Sequence, residues 1–323
     1  MANILANDGL HPAGLKMLIE AGMKVSTEHI AQEELTTKLL DFDGIVVRSA
    51  TRVPEELIRA CPNLSLIGRA GVGMDNIDVE FAQQSGIKVV NTPGASSQSV
   101  AELVFAHMFS MARFLYASNR NMPNQGATDF SALKKSFSKG IELRGKTLGV
   151  IGFGRIGQAV ARMGLGLGMN VMPFKLYHDE VKIAVDFFKI KEAEITIKVK
   201  TDPFEDLLAQ SDFITLHVPF PKGAPPVLYK ERFGMMKKGV FIINASRGGV
   251  VVENDLIEAI DSGQVAAAAL DVFEGEPMPS EKVLQHPRIS LTPHIGASTV
   301  EAQERIGTEL AEKIIDHFKT KNA

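Results

Sequence analysis

The chain has 323 residues, 45% hydrophobic and 23% charged, which is enough for two globular domains of roughly 100–200 residues each. The net charge of −3 gives no electrostatic reason to expect binding to nucleic acid or to an anionic membrane. A single cysteine, Cys61, excludes an internal disulfide and is typical of a reducing compartment. The N-terminus lacks a basic, apolar leader and no apolar run approaches about 18 residues, so we expect a cytoplasmic protein without a membrane span. No cluster of cysteine and histidine predicts a metal site.

Apolar runs alternate with helix-like segments over the first 95 residues. Strands are predicted at 3–6, 24–26, 44–49, 64–69 and 88–91, and helices at 11–21 and 54–60. This alternation is typical of an α/β domain with a mostly parallel sheet.

Two of these predicted strands end in arginine. Arg48 and Arg69 stand where ligands of open α/β sheets bind, beyond the carboxyl ends of the strands, and a glycine loop, 70–73, follows Arg69. The pattern indicates an anion site, but two solvated surface arginines explain it equally well.

A long apolar segment follows. Residues 97–119 predict one helix that is apolar on more than one side, as in a helix buried in a core or at a subunit interface. Pro123, Gly126 and Gly140 then predict a connecting arm over 120–140.

A glycine motif occupies the middle of the chain. An apolar strand at 148–151 runs into Gly152, Gly154 and Gly157, and a helix is predicted over 158–167. Strand, glycine turn and helix in this order predict a dinucleotide-binding turn, in which free N–H groups and the helix dipole hold a pyrophosphate. The alternative is a glycine-rich turn without a ligand.

Further strands follow the motif, and their ends carry polar side chains. Strands are predicted at 169–174, 194–200 (an edge strand), 212–219, 240–249, 265–272 and 289–294, and helices at 203–209, 231–236, 253–262 and 298–318, while 177–193 show no clear pattern. The residues at or after the strand ends are Lys175, His217, Arg247, Asp271 and His294.

Three of the residues near these ends have complementary chemistry. Arg247 suits a bidentate carboxylate, and His294 belongs to the side-chain type that exchanges a proton near neutral pH. A nearby Glu276 would hold the imidazole in one tautomer. Beside a nicotinamide ring, these groups predict oxidation of a 2-hydroxy acid, although each residue alone is explained by an ordinary surface or loop position.

Five segments, GVIGFGRIG, SDFITLHVP, MKKGVFIINASRGGVV, AALDVFEGEP and ISLTPHIGAST, resemble in this order the D-isomer-specific 2-hydroxyacid dehydrogenases. The segments VVRSAT, LIGRAGVGMDNID and VVNTPGASSQSVAEL look most like the phosphoglycerate branch of that family. The resemblance implies an α/β protein with two Rossmann-like domains, each a doubly wound parallel sheet. It implies a discontinuous, flavodoxin-like substrate domain at 1–97 and 296–323, an NAD-binding domain at 98–295, and a homodimer formed through 97–140.

The resemblance also assigns residues. The implied catalytic residues are Arg247, Glu276 and His294. The implied cofactor contacts are Val72, Gly152, Gly154, Arg155, Ile156, Gly157, Lys175, His217, Val218, Pro219, Ala245, Ser246, Arg247, Asp271, His294, Gly296 and Ala297. The implied substrate contacts are Arg48, Ser49, Arg69, Val72, Gly73 and Arg247, which favours the anion-site interpretation of the two arginines.

Three features depart from the family pattern. Lys175 stands where an acid normally binds the adenosine ribose; lysine cannot accept those hydrogen bonds but could pair with a 2′-phosphate. NAD remains the predicted cofactor, with NADP as the alternative, and Asp179 could bind the ribose instead. Residues 176–203 form a connection that is longer than is usual in the family. The chain also stops soon after its last predicted helix, so we expect no regulatory domain and no allosteric serine site.

The leading functional prediction is NAD-linked oxidation of 3-phospho-D-glycerate to 3-phosphohydroxypyruvate, which feeds serine synthesis. The main alternative is a reductase of glyoxylate, hydroxypyruvate or another small 2-keto acid. A dinucleotide-sensing binding protein is a third possibility, because corepressors that resemble this family keep the three catalytic residues.

Overall fold

The computed structural model describes residues 1–176, 180–186, 194–221 and 223–321. They form two compact units, which we call the terminal unit (1–99 and 297–323) and the central unit (100–296).

Thirteen strands lie within the described residues. They are β1 (Asn3–Ala6), β2 (Lys24–Ser26), β3 (Gly44–Val47), β4 (Leu66–Arg69), β5 (Lys88–Asn91), β6 (Thr147–Ile151), β7 (Asn170–Phe174), β8 (Glu180–Asp186), β9 (Glu194–Lys200), β10 (Phe213–Leu216), β11 (Val240–Asn244), β12 (Val265–Leu270) and β13 (Ile289–Leu291).

Thirteen α-helices lie within the same residues. They are α1 (Pro12–Glu20), α2 (Leu35–Lys38), α3 (Glu55–Ala60), α4 (Val79–Gln84), α5 (Ser97–Ala112), α6 (Leu115–Gln125), α7 (Phe130–Ser136), α8 (Arg155–Gly166), α9 (Phe204–Gln210), α10 (Lys230–Gly234), α11 (Glu253–Asp261), α12 (Glu281–Leu284) and α13 (Val300–Lys321).

The terminal unit is a five-stranded parallel sheet in the order β2-β1-β3-β4-β5. This is the flavodoxin-like order, and it matches the predicted fold class. One face packs against α1 and α13 through residues such as Leu18 and Leu310, and the other packs against side chains such as Leu57 and Ala82. Helices α1 and α13 approach so closely that a Cβ on Gly14 would meet the carbonyl oxygen of Gly307.

The central unit is a six-stranded parallel sheet in the order β13-β12-β11-β10-β6-β7. One face is covered by α5 and α8, with Phe105 and Val160 in the core, and the other by the helices that carry Leu207, Phe233 and Leu256. Both sheets are therefore buried on two faces, as the near-continuous apolar runs of the strands predict.

The helix predicted over 97–119 is wrong as one continuous element. Helix α5 ends at Ala112, and α6 begins at Leu115 after a bend of 56°. The cause is Phe114, which adopts the left-handed conformation (φ 55°) and so cannot continue a right-handed helix. The predicted arm over 120–140 is largely helical, because α6 runs to Gln125 and α7 follows.

No single helix in the described part of the chain is long and apolar enough to cross a membrane. The bent pair α5–α6 meets the requirement of length and composition only when its two halves are taken together.

The segment 194–200 forms a strand, as predicted, but not at the edge of the large sheet. It pairs with β8 in a separate two-stranded antiparallel sheet. Ile183 of this hairpin is buried in the core of the central unit, and Val181 and Val199 pack beside it. Residues 177–179 and 187–193 lie outside the described residues, and with them the alternative ribose ligand Asp179.

Candidate active site

The backbone of the turn between β6 and α8 requires two of its three glycines. Gly152 has φ 94°, and a Cβ there would meet the carbonyl oxygen of His217. A Cβ on Gly157 would meet the carbonyl oxygen of Gly152, so the first turn of α8 packs directly on the loop. A Cβ on Gly154 would meet nothing within 4 Å.

This turn fits the pyrophosphate of a dinucleotide. Gly154 is the N-cap of the 12-residue helix α8, and no side chain caps the helix start. The first N–H groups of a helix have no partner within the helix and carry a partial positive charge. The open space at Gly154 therefore lies at a helix end that attracts an anion.

Substituting Gly154 with valine tests this assignment. The backbone (φ −82°, ψ −160°) accepts an L-residue and the site is open, so the free energy of unfolding should change by no more than about 0.5 kcal/mol. The dissociation constant for a nicotinamide dinucleotide should rise more than about tenfold, because the side chain would fill the place of the phosphate. Chemical denaturation measures the free energy of unfolding, and titration calorimetry measures the dissociation constant.

Gly166→Val is the matched control, because Gly166 also has open space and lies at the other end of α8. It should leave dinucleotide affinity unchanged. Equal dinucleotide affinity in the Gly154 and Gly166 variants would refute the pyrophosphate assignment.

The turn after β11 presents Arg247. Asn244, the buried last residue of β11, donates from Nδ2 to the carbonyl oxygen of Arg247 at 2.9 Å. Its Oδ1 accepts from the N–H (3.1 Å) and the hydroxyl (2.7 Å) of Ser246. Arg247 is half-buried and donates from Nη1 to the carbonyl oxygen of Ser246 at 2.7 Å. Asn244 thus shapes the turn, a role that the sequence alone does not indicate.

Glu276 and His294 form a hydrogen-bonded pair. His294 Nδ1 lies 2.8 Å from Glu276 Oε2, and Glu276 Oε1 accepts from the N–H of Phe273 at 2.9 Å. Because an ionised carboxylate only accepts, Nδ1 carries the proton and Nε2 of the neutral ring is the free base. The His294 side chain is 48% exposed.

The loops that carry Arg247 and Glu276 touch through their backbones. A Cβ on Gly248 would overlap the carbonyl oxygen of Phe273. Glu253, the first residue of α11, accepts from the N–H of Glu274 at 2.7 Å, and its own N–H donates back to Glu274 Oε1 at 3.2 Å. Burial raises the pKa of Glu253, and the charges of Glu274 and Glu276 raise it further.

Asp271, after β12, holds the loop that carries His294. Its buried carboxylate accepts from the hydroxyl of Thr292 at 2.7 Å and from the N–H groups of Ile295 and Gly296 at 2.8 Å. His294 itself adopts φ 54°, in the left-handed region that residues other than glycine seldom occupy. The cofactor contact of Asp271 stays a prediction, and its hydrogen bonds within the loop are a role that the sequence did not reveal.

His217 follows β10 beside Gly152. Burial lowers the pKa of its imidazole to about 3, so the ring is neutral near pH 7. Nε2 lies 2.9 Å from Thr215 Oγ1, whereas the buried Nδ1 has no hydrogen-bond partner among the described residues. A buried nitrogen without a hydrogen-bond partner fits a site in which a bound ligand supplies that partner.

The other predicted cofactor residues of the central unit stand at the same carboxyl edge of its sheet. Lys175 directly follows β7, whose Phe174 carbonyl oxygen accepts from the N–H of Gly152 at 3.0 Å. The remaining ones are Arg155, Ile156, Val218, Pro219, Ala245, Ser246 and Gly296.

The terminal unit carries the other predicted residues, Ala297 among them, and brings its two arginines to one sheet edge. Val47 pairs with Arg69 in the β3–β4 ladder, so Arg48 and the exposed Ser49 follow directly beside Arg69. Arg69 donates to the carbonyl oxygen of Ala70 at 2.7 Å, and a Cβ on Gly71 would meet its guanidinium.

The loop after β4 is fixed as well. Its Val72 carbonyl oxygen accepts from Asn91 Nδ2 at 2.7 Å, and Gly73 follows.

Among the described residues of both units, no group of three or more His, Cys, Asp or Glu could hold a metal ion.

A dinucleotide-binding turn, an arginine that suits a carboxylate and a carboxylate-paired histidine share one edge of the central sheet. These features define a nicotinamide-dependent oxidoreductase. The profile of the D-isomer specific 2-hydroxyacid dehydrogenase NAD binding domain matches residues 105–296. The chain belongs to the D-isomer-specific 2-hydroxyacid dehydrogenase family.

Known proteins are similar over nearly the whole chain. A hydroxypyruvate reductase of Thermotoga maritima is 42% identical, with 95% of each chain covered. A D-3-phosphoglycerate dehydrogenase of Methanocaldococcus jannaschii is 43% identical over 97% of this chain but 57% of its own length, so this chain spans little more than half of that relative. The solved NAD⁺-bound 3-phosphoglycerate dehydrogenase of Entamoeba histolytica superposes with a TM-score of 0.75, 26% identity and coverage of 98% and 95%.

Proposed function

We propose that the protein is a D-3-phosphoglycerate dehydrogenase, which oxidises 3-phospho-D-glycerate to 3-phosphohydroxypyruvate in serine biosynthesis. The observation that carries the proposal is the placement of Arg48 and Arg69 on neighbouring strand ends of the terminal unit. Two guanidinium groups at a sheet edge suit a phosphate, which a smaller hydroxy acid lacks. The similarity to the phosphoglycerate dehydrogenase of M. jannaschii supports the same assignment.

Arg247 binds the substrate carboxylate in this proposal. Its guanidinium can donate two parallel hydrogen bonds to a carboxylate and also polarise the oxygen on C2. The Asn244 contacts fix the Arg247 turn before substrate binds, which lowers the cost of ordering the complex.

His294 is the general base for oxidation and the general acid for reduction. Nε2 takes the proton of the C2 hydroxyl, while Glu276 accepts from Nδ1 and stabilises the imidazolium that forms. A bound nicotinamide dinucleotide would supply the acceptor for the hydride of C2.

We propose NAD as the preferred cofactor, held by the residues of the β6–α8 turn and the neighbouring strand ends. Lys175 alone would favour the 2′-phosphate of NADP. However, the N–H of Asp202 donates to the carbonyl oxygen of Pro173 at 2.8 Å, so an acidic residue returns to this end of β7. Specificity constants for both cofactors test the preference, and a higher value for NADP would reverse it.

A second candidate is reduction of hydroxypyruvate or glyoxylate. The observation that favours it is the similarity over 95% of both chains to the hydroxypyruvate reductase of T. maritima. The same Arg247, Glu276 and His294 would serve that reaction, and Arg48 and Arg69 would then have no phosphate to bind. The third hypothesis is a binding protein that senses a dinucleotide and catalyses no reaction. Hydride transfer to any 2-keto acid would exclude it.

Arg69→Ala distinguishes the first two candidates. We expect kcat/KM for 3-phosphohydroxypyruvate to fall about 100-fold, because a hydrogen bond between charged groups contributes about 1.5–3 kcal/mol. For hydroxypyruvate, which lacks the phosphate, the fall should stay below about threefold. Arg59→Ala is the control, since Arg59 lies on the surface of the same unit and pairs with Glu55. Equal losses for both substrates would remove the phosphate assignment.

We also propose a cytoplasmic homodimer formed through α5, α6 and α7. These helices expose Phe109, Leu115, Tyr116, Met122 and Phe130, five large apolar side chains that a partner surface would cover. A cytoplasmic location suits the single cysteine, Cys61, which is a buried thiol.

The variant Leu115→Glu/Tyr116→Glu tests the dimer. Light scattering should give twice the chain mass of 35.0 kDa for the natural protein and the single-chain mass for the variant, because buried charges oppose association. Ile19→Glu, at an exposed isoleucine of α1, should stay dimeric. A natural protein of single-chain mass would contradict the proposal.

A further inference from the structure

His107 is a buried histidine that the mechanism above does not use. It lies on α5 among apolar neighbours and is 5% exposed. Its two ring nitrogens contact hydroxyl groups at the end of β13, with Nδ1 2.9 Å from Ser290 Oγ and Nε2 3.0 Å from Thr292 Oγ1. Both nitrogens of the buried ring therefore have a hydrogen-bond partner on one strand end.

Hydrogen bonds link Ser290, His107, Thr292 and Asp271 in a series. The direction of each bond follows from the acceptor at the end of this series, Asp271. The carboxylate of Asp271 only accepts, so the single hydroxyl hydrogen of Thr292 points to Asp271 Oδ1 at 2.7 Å. Thr292 Oγ1 must therefore accept from Nε2–H of His107. Nδ1 of the neutral ring is then an acceptor, and the hydroxyl of Ser290 donates to it.

The surroundings keep this ring neutral. Burial lowers the pKa of His107, and the charge of Asp271 opposes this shift only in part. A neutral ring protonated on Nε2 satisfies both hydroxyl groups, whereas proton transfer to Nδ1 would leave Thr292 and Nε2 without a hydrogen between them.

The series ends at the backbone of the catalytic loop. Asp271 accepts from the N–H groups of Ile295 and Gly296, the two residues that follow His294. His294 has φ 54°, a conformation that persists only where the surroundings hold it. Thr292 donates its only hydroxyl hydrogen to Asp271, and the Nε2–H of His107 donates to the oxygen of the same hydroxyl group. His107 thereby holds the hydroxyl group that hydrogen-bonds Asp271.

We propose that His107 is a positioning residue for His294, acting through Thr292 and Asp271 as a neutral Nε2–H donor. This inference rests on the proposed catalytic role of His294. In this inference, helix α5, which covers one face of the sheet, helps to orient His294 on the loop after β13.

The tautomer is measured directly by nitrogen NMR of the whole protein with labelled histidine, in which His107→Gln identifies the signal. One protonated and one unprotonated nitrogen are expected at pH 7 and above, with the proton on Nε2. A proton on Nδ1, or a doubly protonated ring at pH 7, would overturn the inference. This measurement requires no turnover and uses the natural sequence.

Variants then measure the effect on catalysis. His107→Leu and Thr292→Val should each lower kcat about 10–100-fold, because a small misplacement of a catalytic group costs that much. KM should change less than about threefold. The double variant should be no slower than either single variant, since both remove the same effect. His107→Gln should recover most of kcat, because its amide can donate to Thr292.

Ser211→Ala is the control, because it removes a buried hydroxyl that bonds Leu207 and lies outside this series. Additive losses, or losses no larger than in Ser211→Ala, would overturn the inference. If His294→Asn itself kept normal turnover, the proposed function would fail instead, so the two failures are distinguishable.

Discussion

Replacing His294 with asparagine is expected to lower kcat for 2-keto-acid reduction by about 10³-fold or more. Asparagine can keep a hydrogen bond to Glu276, but it has no nitrogen that exchanges a proton where Nε2 stands. General acid–base catalysis is worth about 10²–10⁴-fold, and the pairing with Glu276 places His294 in the upper part of that range. The dissociation constant for the reduced dinucleotide, measured by fluorescence, should stay within about threefold.

The control for this prediction is His286→Asn, at a histidine of the same unit whose Nε2 lies 3.3 Å from Asp261. It should keep turnover close to that of the natural protein. Near-normal kcat in His294→Asn would refute the acid–base assignment, and a parallel loss in both variants would point to general destabilisation.

Replacing Arg247 with glutamine should lower kcat/KM by about 10³-fold, mostly through a higher KM. The substitution removes the charge and the forked geometry that bind a carboxylate, and losing one partner of such a pair costs about 2–5 kcal/mol. The turn itself should persist, because the contact that Asn244 makes is to the backbone of residue 247. Steady-state kinetics with a series of 2-keto acids measures the loss.

Arg288→Gln provides the comparison, since Arg288 forms a surface ion pair with Asp261 at 3.5 Å. Surface pairs contribute about 0–1 kcal/mol, so kcat/KM should barely change. If Arg247→Gln loses no more than Arg288→Gln, the carboxylate is bound elsewhere.

Much of the fold was predictable because its strands are short apolar runs with turn residues between them. The runs at 3–6, 44–47, 147–151 and 240–244 are buried on both faces, and such strands stand out without any knowledge of their partners. Their order in the sheets also follows the usual doubly wound topologies.

The break between α5 and α6 was not predictable from the same reasoning. Phe114 has no intrinsic preference for a left-handed conformation, and the apolar pattern continues across it. The hairpin of β8 and β9 was missed for another reason. An alternating strand predicts a half-buried sheet, but the pattern does not say which strand it pairs with.

The residues of the candidate site were also only partly predictable from the sequence. Residues at strand ends, such as Arg247 and His294, were predicted as site residues because chain order and chemistry both mark them, and their catalytic roles stay predictions. The groups that hold them were not, since Asn244, Glu253 and His107 have ordinary structural explanations in the sequence. His107 and Thr292 are 185 positions apart, so only the fold brings them together.

The measurement that tests the central claim most directly is kcat/KM of the purified protein for a panel of 2-keto and 2-hydroxy acids with both nicotinamide couples. We expect turnover of D- but not L-2-hydroxy acids, with the highest kcat/KM for 3-phosphohydroxypyruvate and NADH. Turnover of glyoxylate or hydroxypyruvate in preference to the phosphorylated substrate would contradict the proposed substrate. No hydride transfer with any acid and either couple would contradict the assignment of the site itself.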